Sequence, residues 1–304
     1  MAWHLRWVLL VLFGAVVVAV ALDVLITQLM TRTRLNRPQA LSIVLVVLLL
    51  AAVIVAQLLL PELITQIQQL GRDLPELLSK LNTILATNPR FVELDKAIGG
   101  DVSLDQLQPL GSRLLGMAGN AANSVVQLGL MTLLAVLLAL DPASHRQMVV
   151  AVTPRPARVQ MVQLLDACRT ALGGWLSGMT ISATTVFLLS WAGLSLLKAP
   201  LALLSALVCG LLTFVPTIGP TTATLLPAGL ALLQSPELTI SVLVFRLVLQ
   251  NLEAFVLTPL LLRQTVNLLP TVALTAQLSL GALLGLPGVL LALPLVVVMQ
   301  VGMQ

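Results

Sequence analysis

The sequence predicts an all-α, polytopic helical membrane protein with two Pro/Gly-broken short-helix hairpins and an external amphipathic helical segment. Three observations carry this prediction. Only 9% of the 304 residues are charged and 58% are hydrophobic, whereas a soluble domain covers its surface with about 25% charged residues. Apolar runs recur between short basic loops, and several reach the roughly 20 residues that a bilayer core requires. In the C-terminal half the runs shorten and are cut by Pro and Gly. Membrane depth tolerates such breaks only where protein or a water-filled cavity covers the freed backbone groups.

The first unit, residues 1–60, holds two transmembrane helices. Residues 7–29 form one span. Arg6, an apolar run and Ala19-Val20-Ala21 also have the layout of a cleaved signal peptide, but apolar helical sequence continues to Met30 and favours a retained helix. Asp23 falls toward the end of this span, near an interface where a charge costs less. The loop TRTRLNRP carries Arg32, Arg34 and Arg37 and no acid, so the positive-inside rule keeps it in the cytoplasm. Residues 40–60 then run outward.

Residues 61–116 differ in composition, with five basic and seven acidic residues. Leu63, Ile67, Leu70, Leu74, Leu77, Leu78, Leu81 and Leu85 recur at helical spacing, which marks an external amphipathic helix. Its stripe needs a cover, and the membrane surface, the body of the protein and another protomer all qualify.

The transmembrane core is residues 117–304. Residues 117–140 return inward and end at Asp141-Pro142. The loop to Ala171 is basic, with His145, Arg146, Arg155, Arg158 and Arg169 against Asp141 and Asp166, and is cytoplasmic. Within it Val159–Leu172 has helical spacing suited to the inner surface. Residues 175–197 run outward to Lys198-Ala199-Pro200. Two broken hairpins follow, 201–233 and 271–301, flanking a full helix at 238–262. The first breaks at Pro216-Thr217-Ile218-Gly219-Pro220 and the second at Gly285-Leu286-Pro287-Gly288. Loop charges place the N-terminus outside with Arg6, and one more helix upstream would remove that conflict.

The remaining composition narrows the function. The net charge of +4 comes without a basic run interleaved with aromatics, so no nucleic-acid partner is expected. Aromatics are 3%, and Trp3, Trp7, Trp175 and Trp191 supply the interfacial belt. Cys168 and Cys209 lie in or beside different apolar segments with no CxxC, so neither a disulfide nor a metal site is expected. No dinucleotide fingerprint, P-loop or HExxH occurs, and no cofactor is expected. An intramembrane hydrolase built on Ser177 would need a histidine at depth. The two histidines, His4 and His145, are terminal and in a loop, so an enzyme is not expected.

The 238–262 helix carries the candidate chemistry. Arg246, Gln250 and Glu253 are spaced by four and three, so they share a face. Arg246 and Glu253 lie about 10.5 Å apart along the axis at 1.5 Å per residue, within joint reach of Gln250 or a water. An unpaired intramembrane charge costs about 2.5–3.5 kcal/mol at a helix centre, so such residues point to function by default. Glu253 is the candidate for a cation, a proton or a polar substrate, with Gln250 and Asn251 as neutral ligands. Thr213, Thr217, Thr221, Thr222 and Thr224 surround the first break. Their hydroxyls either coordinate an ion or satisfy carbonyls that the prolines free, the commoner role. Thr217 and Thr221 join the candidate ligands. Gly281, Gly285 and Gly288 have the small-residue spacing of close helix packing.

FVPTIGP (214–220), QNLEAFVLTPLLLRQTVNLLP (250–270) and LGALLGLPGVLLALPL (280–295) together resemble the autoinducer-2 exporter family of bacterial membrane proteins. Pro216, Gly219, Pro220, Gln250, Glu253, Pro259, Pro270, Gly281, Gly285, Gly288 and Pro294 fall on that family's pattern. Thr217 stands where the family usually has an aromatic, Leu269 where it often has His, and Leu280 where a first Gly is common. Members also usually carry one further N-terminal helix. The resemblance implies a multi-pass, homo-oligomeric secondary transporter of the bacterial plasma (inner) membrane, one that exports a small polar molecule or exchanges a monovalent cation for protons. The alternatives are a passive channel and a structural membrane scaffold.

Overall fold

The structure is a computed structural model and describes residues 2–87, 121–215, 218–257 and 270–303. The described residues are helical throughout apart from short turns. Among the described residues, four helices are long and apolar enough to cross a membrane, through Val8–Arg32, Arg37–Asp73, Arg155–Leu196 and Pro236–Leu257.

Helix α1 is Ala2–Arg32 and α2 is Arg37–Thr87. At 51 residues and 1.5 Å per residue, α2 is about 75 Å long, more than twice the roughly 30 Å of a hydrocarbon core. It runs unbroken through Pro61 and Pro75, so the compositional change at 60/61 is not a structural break. The apolar run and the amphipathic stripe are two stretches of one helix.

Helix α3 is Ala121–Leu140, and α4, Pro142–Val152, leaves it at 87°. The corner is written in Asp141-Pro142. Pro142 takes the first helical position, where a missing N–H costs nothing, and the Asp141 carboxylate accepts from Ser144 N at 3.1 Å. Arg158 closes the other end of α4 by donating to the carbonyls of Thr153 and Ala151, each at 3.1 Å. Helix α5 is Arg158–Leu196. The expected surface helix at 159–172 and the span at 175–197 are therefore one helix, and the Gly173-Gly174 pair does not interrupt it. Gly173 instead lets α1 approach, since a Cβ there would lie 2.8 Å from Val24.

The first broken hairpin is α6, Ala202–Leu212, and α7, Ile218–Gln234. Ser235 then caps α8, Pro236–Leu252, accepting from Leu238 N at 3.1 Å. The 238–262 helix does not continue as α-helix to its expected end. It passes into one π-helical turn at Glu253–Leu257, a distortion frequent at functional sites. The second hairpin is α9, Pro270–Leu284, and α10, Leu286–Met303. Gly285 turns between them with φ +68°, a left-handed conformation suited to glycine. A Cβ on Gly288 would meet the Leu280 carbonyl oxygen at 2.1 Å, so the two arms touch backbone to backbone.

Packing is divided among clusters of small and branched residues. Ala15, Ala19 and Ile26 of α1 meet Ala40 and Val44 of α2 and Ala135 of α3. Trp175 and Met179 of α5 pack on Ala273 of α9 and on Leu293 and Val297 of α10. Trp175 thus lies in the interior, 5% exposed, and is not part of an interfacial belt; Trp191 is 39% exposed. Leu63 of α2 packs with Leu201, Leu203, Leu204 and Leu230. The amphipathic stripe is therefore covered at Leu63 by the body of the protein, through the first hairpin. Two polar contacts reinforce it. Gln66 Oε1 accepts from Leu204 N at 2.8 Å, and Lys80 Nζ donates to the Leu233 carbonyl at 3.1 Å. Ile67 faces away and is exposed, while the side chains of Leu74, Leu78, Leu81 and Leu85 lie outside the described residues.

Pro227 sits inside α7 and cannot donate to the Ala223 carbonyl four residues back. The Cys209 thiol of α6 takes that role at 3.5 Å.

Candidate functional site

Helix α8 turns Val242, Arg246 and Leu249 inward, a spacing of four and three that defines its buried face. Arg246 is only 2% exposed, and neutral groups receive its guanidinium. Nη1 donates to Ser190 Oγ of α5 at 3.1 Å, Nε to Thr224 Oγ1 at 3.3 Å, and Nη2 to the Pro220 carbonyl at 3.5 Å. Thr224 also donates its own hydroxyl to that carbonyl at 3.0 Å. One cation thus ties α8 to α5 and to the first turn of α7, beside the break. Ser190 is fully buried, so the contact is shut off from water.

Glu253 opens the π-helical turn and is half-buried, as is Gln250. Among the described residues no ion pair joins Glu253 to Arg246. The stripe is brought to one edge of α8, with its two charges near one another but not in contact. Asn251 departs from it, being exposed and donating to the Leu247 carbonyl of its own helix at 2.7 Å.

The threonines divide as well. Thr213 donates to the Cys209 carbonyl at 3.0 Å and Thr222 to the Gly219 carbonyl at 3.1 Å. Their hydroxyls donate to backbone, and Thr224 also meets Arg246. Thr221 is exposed. Thr217, Pro216 and Pro259 lie outside the described residues, as does the side chain of Pro270. Gly219 is required by close approach, because a Cβ there would sit 1.9 Å from the Leu212 carbonyl oxygen. Gly281 likewise meets Val289, at 2.8 Å from an added Cβ. Pro294 is fully buried within α10.

Two further features lie outside the Arg246 stripe: Gln277, which was not singled out from the sequence, and Asp23, whose partners were not. Gln277 of α9 is 3% exposed, and neither amide atom has a hydrogen-bond partner among the described residues. It stands one turn from Ala273, whose cluster includes Phe214 at the break of the first hairpin. The second is Asp23. It is 5% exposed and packed within the protein. Oδ1 accepts from Arg37 Nη2 at 2.5 Å and Oδ2 from Arg169 Nε at 2.5 Å, while Arg37 Nε reaches the Ala139 carbonyl at 3.0 Å. One carboxylate thereby joins α1, α2 and α5, and Arg37 adds α3.

The model of the AI-2E family transporter matches residues 1–304. The chain belongs to the AI-2E transporter family. It is 28% identical over 302 residues to the AI-2 transport protein TqsA of Escherichia coli K12, covering 95% of this chain and 83% of the relative. It is 30% identical over 278 residues to the putative permease PerM of the same organism, covering 86% and 76%. To the putative transport protein YueF of Bacillus subtilis it is 23% identical over 245 residues, covering 79% of this chain and 65% of that one. As an AI-2E family member the chain is a multi-pass membrane protein of a transporter and permease family. In this member, α8 carries the buried Arg246 and follows the first broken hairpin.

Proposed function

We propose that the chain is a secondary transporter of the bacterial plasma membrane that moves a small polar solute outward, or a monovalent cation, against protons. Glu253 is the exchanging carboxylate, and Gln250 is its neutral neighbour one turn back. The observation that supports this most is the anchoring of α8 at depth. Arg246 is bound to the break of the first hairpin by hydroxyls and a carbonyl, which leaves the Glu253 carboxylate available to a mobile ion. In secondary transporters broken helices of this kind hold the substrate and coupling ion. The uncovered apolar face of α2, including Val46, Val47 and Leu49, supports contact with lipid and with further copies of the chain.

The test is flux in proteoliposomes with and without a pH gradient, using sodium ions and small polar solutes. AI-2 is the first solute to try, because the E. coli relative is named for it. The expected result is gradient-dependent flux that Glu253→Gln abolishes while the protein still reconstitutes. Flux indifferent to the gradient, and equal in the variant, would make the protein a passive channel. No flux of any solute would make it a scaffold.

A further inference from the structure

A cavity of about 730 Å³ opens between α2, the end of α5 and the turn that leads into α6. That is within the range of small-ligand sites. Its walls change character along their length. Val55 and Leu58 of α2 and Phe187 and Trp191 of α5 line its apolar part. Glu62 and Gln66 further along α2, Ser195 further along α5 and Lys198 just past its end line its polar part. Along α2 the change from Val55 to Gln66 takes about 16 Å, at 1.5 Å rise per residue. Val55 and Leu58 are 52% and 71% exposed, on a stretch of α2 long and apolar enough to cross a bilayer. The Phe187 and Trp191 rings are stacked with centroids 6.1 Å apart and present a flat apolar surface.

The polar part holds one group of each sign, and they do not pair. Among the described residues neither Glu62 nor Lys198 makes an ion pair. Glu62 Oε1 accepts only from the Gln66 amide, at 2.7 Å, and Gln66 is fixed in turn by Leu204 N. Lys198 has φ +55°, a left-handed position at the end of a helix where glycine is the usual residue. A lysine there strains the backbone, and strain of this kind collects at functional positions.

We propose that this cavity binds one aminophospholipid from the surrounding bilayer. Its phosphate meets Lys198, its ammonium meets Glu62, and an acyl chain lies along Trp191, Leu58 and Val55. A headgroup with both charges matches a site that offers both unpaired, and the apolar part suits a ligand entering sideways from the membrane. The site is separate from the Arg246 stripe and does not depend on what Glu253 carries.

The test uses the purified full-length chain in detergent. Phosphatidylethanolamine and phosphatidylglycerol of matched acyl chains are compared by native mass spectrometry and by thermal shift. The wild type is expected to retain phosphatidylethanolamine at least fivefold better. Glu62→Gln keeps the contact to Gln66 and is expected to erase that preference while phosphatidylglycerol still binds. Lys198→Gln is expected to weaken both lipids. Lys198→Gly is a second check, because glycine suits the backbone there, and it too is expected to weaken both lipids without loss of folding. Equal retention of the two lipids by the wild type, or wild-type behaviour in the variants, would overturn the proposal. Competition by water-soluble phosphoethanolamine at the lipid's own concentration would also overturn it, and would assign the cavity to a soluble solute.

Discussion

The ring of Phe245 lies directly on Gly193. A Cβ added to the glycine would stand 2.1 Å from Cζ and 2.3 Å from Cε2 of the ring. This contact sets the separation of α5 and α8 beside the Arg246–Ser190 hydrogen bond. Gly193→Ala is expected to destabilise the protein by about 1–3 kcal/mol, the usual cost of overpacking. Adding Phe245→Leu is expected to return much of the loss, and thermal unfolding of the two single variants and the double variant measures the coupling.

Asp23 holds two arginines from different helices. Breaking a fully buried pair costs roughly 3–5 kcal/mol. The Arg37 and Arg169 side chains are 24% and 51% exposed, so water offsets part of the loss. Asp23→Asn is expected to cost about 2 kcal/mol, within the range for hydrogen bonds to charged groups. Arg37→Ala is expected to cost at least as much as Arg169→Ala, because Arg37 also serves the Ala139 carbonyl. Thermal unfolding in detergent ranks the three.

Gln277 separates stability from function. A buried amide without a partner costs about 1–3 kcal/mol. Gln277→Met, similar in length and apolar, is therefore expected to raise the unfolding temperature. If the amide serves a transported solute, the same variant loses flux. A stabilised variant with unchanged flux would remove Gln277 from the transport path.

Asp141 gives a pH signature at the corner between α3 and α4. Hydrogen bonds from the Ser144 hydroxyl, and then from its backbone N–H, hold this exposed carboxyl below the ordinary carboxylate range. A lowered folded value means the stabilisation is present above the unfolded value, about 3.9, and is lost as pH falls through the folded one. The stability gap between wild type and Asp141→Ala is expected to be constant above about pH 5 and to close in stronger acid. Thermal melts across that range test it.

The helical order was legible because length, Pro and Gly punctuate apolar runs. Asp141-Pro142 reads as the end of a span, and the structure shows that it also starts the next helix, at Pro142. What the sequence could not show was continuity. Nothing local says that α2 passes Pro61 without stopping, because the cover that holds its far end, Leu204 and Leu230, is some 140 residues or more away in the chain. The site was half legible. Arg246 and Glu253 stood out as charges in an apolar helix, but Ser190 is one hydroxyl among many, and its role depends on the α5–α8 crossing. Gln277 had a usable signal, a lone amide within a short apolar arm. Asp23 was visible as an acid in the first span, but its arginine partners, 14 and 146 positions away, were not.

Cys209 carries a further consequence. Its S–H points at the carbonyl that Pro227 leaves without a donor, and the chain has only one other thiol, the partly exposed Cys168. The S–H stretch falls in an infrared window nearly empty of protein bands, so the first hairpin carries a vibrational reporter that needs no label. A shift of that band on adding solute or a pH gradient would register the α6–α7 contact loosening while the transporter works.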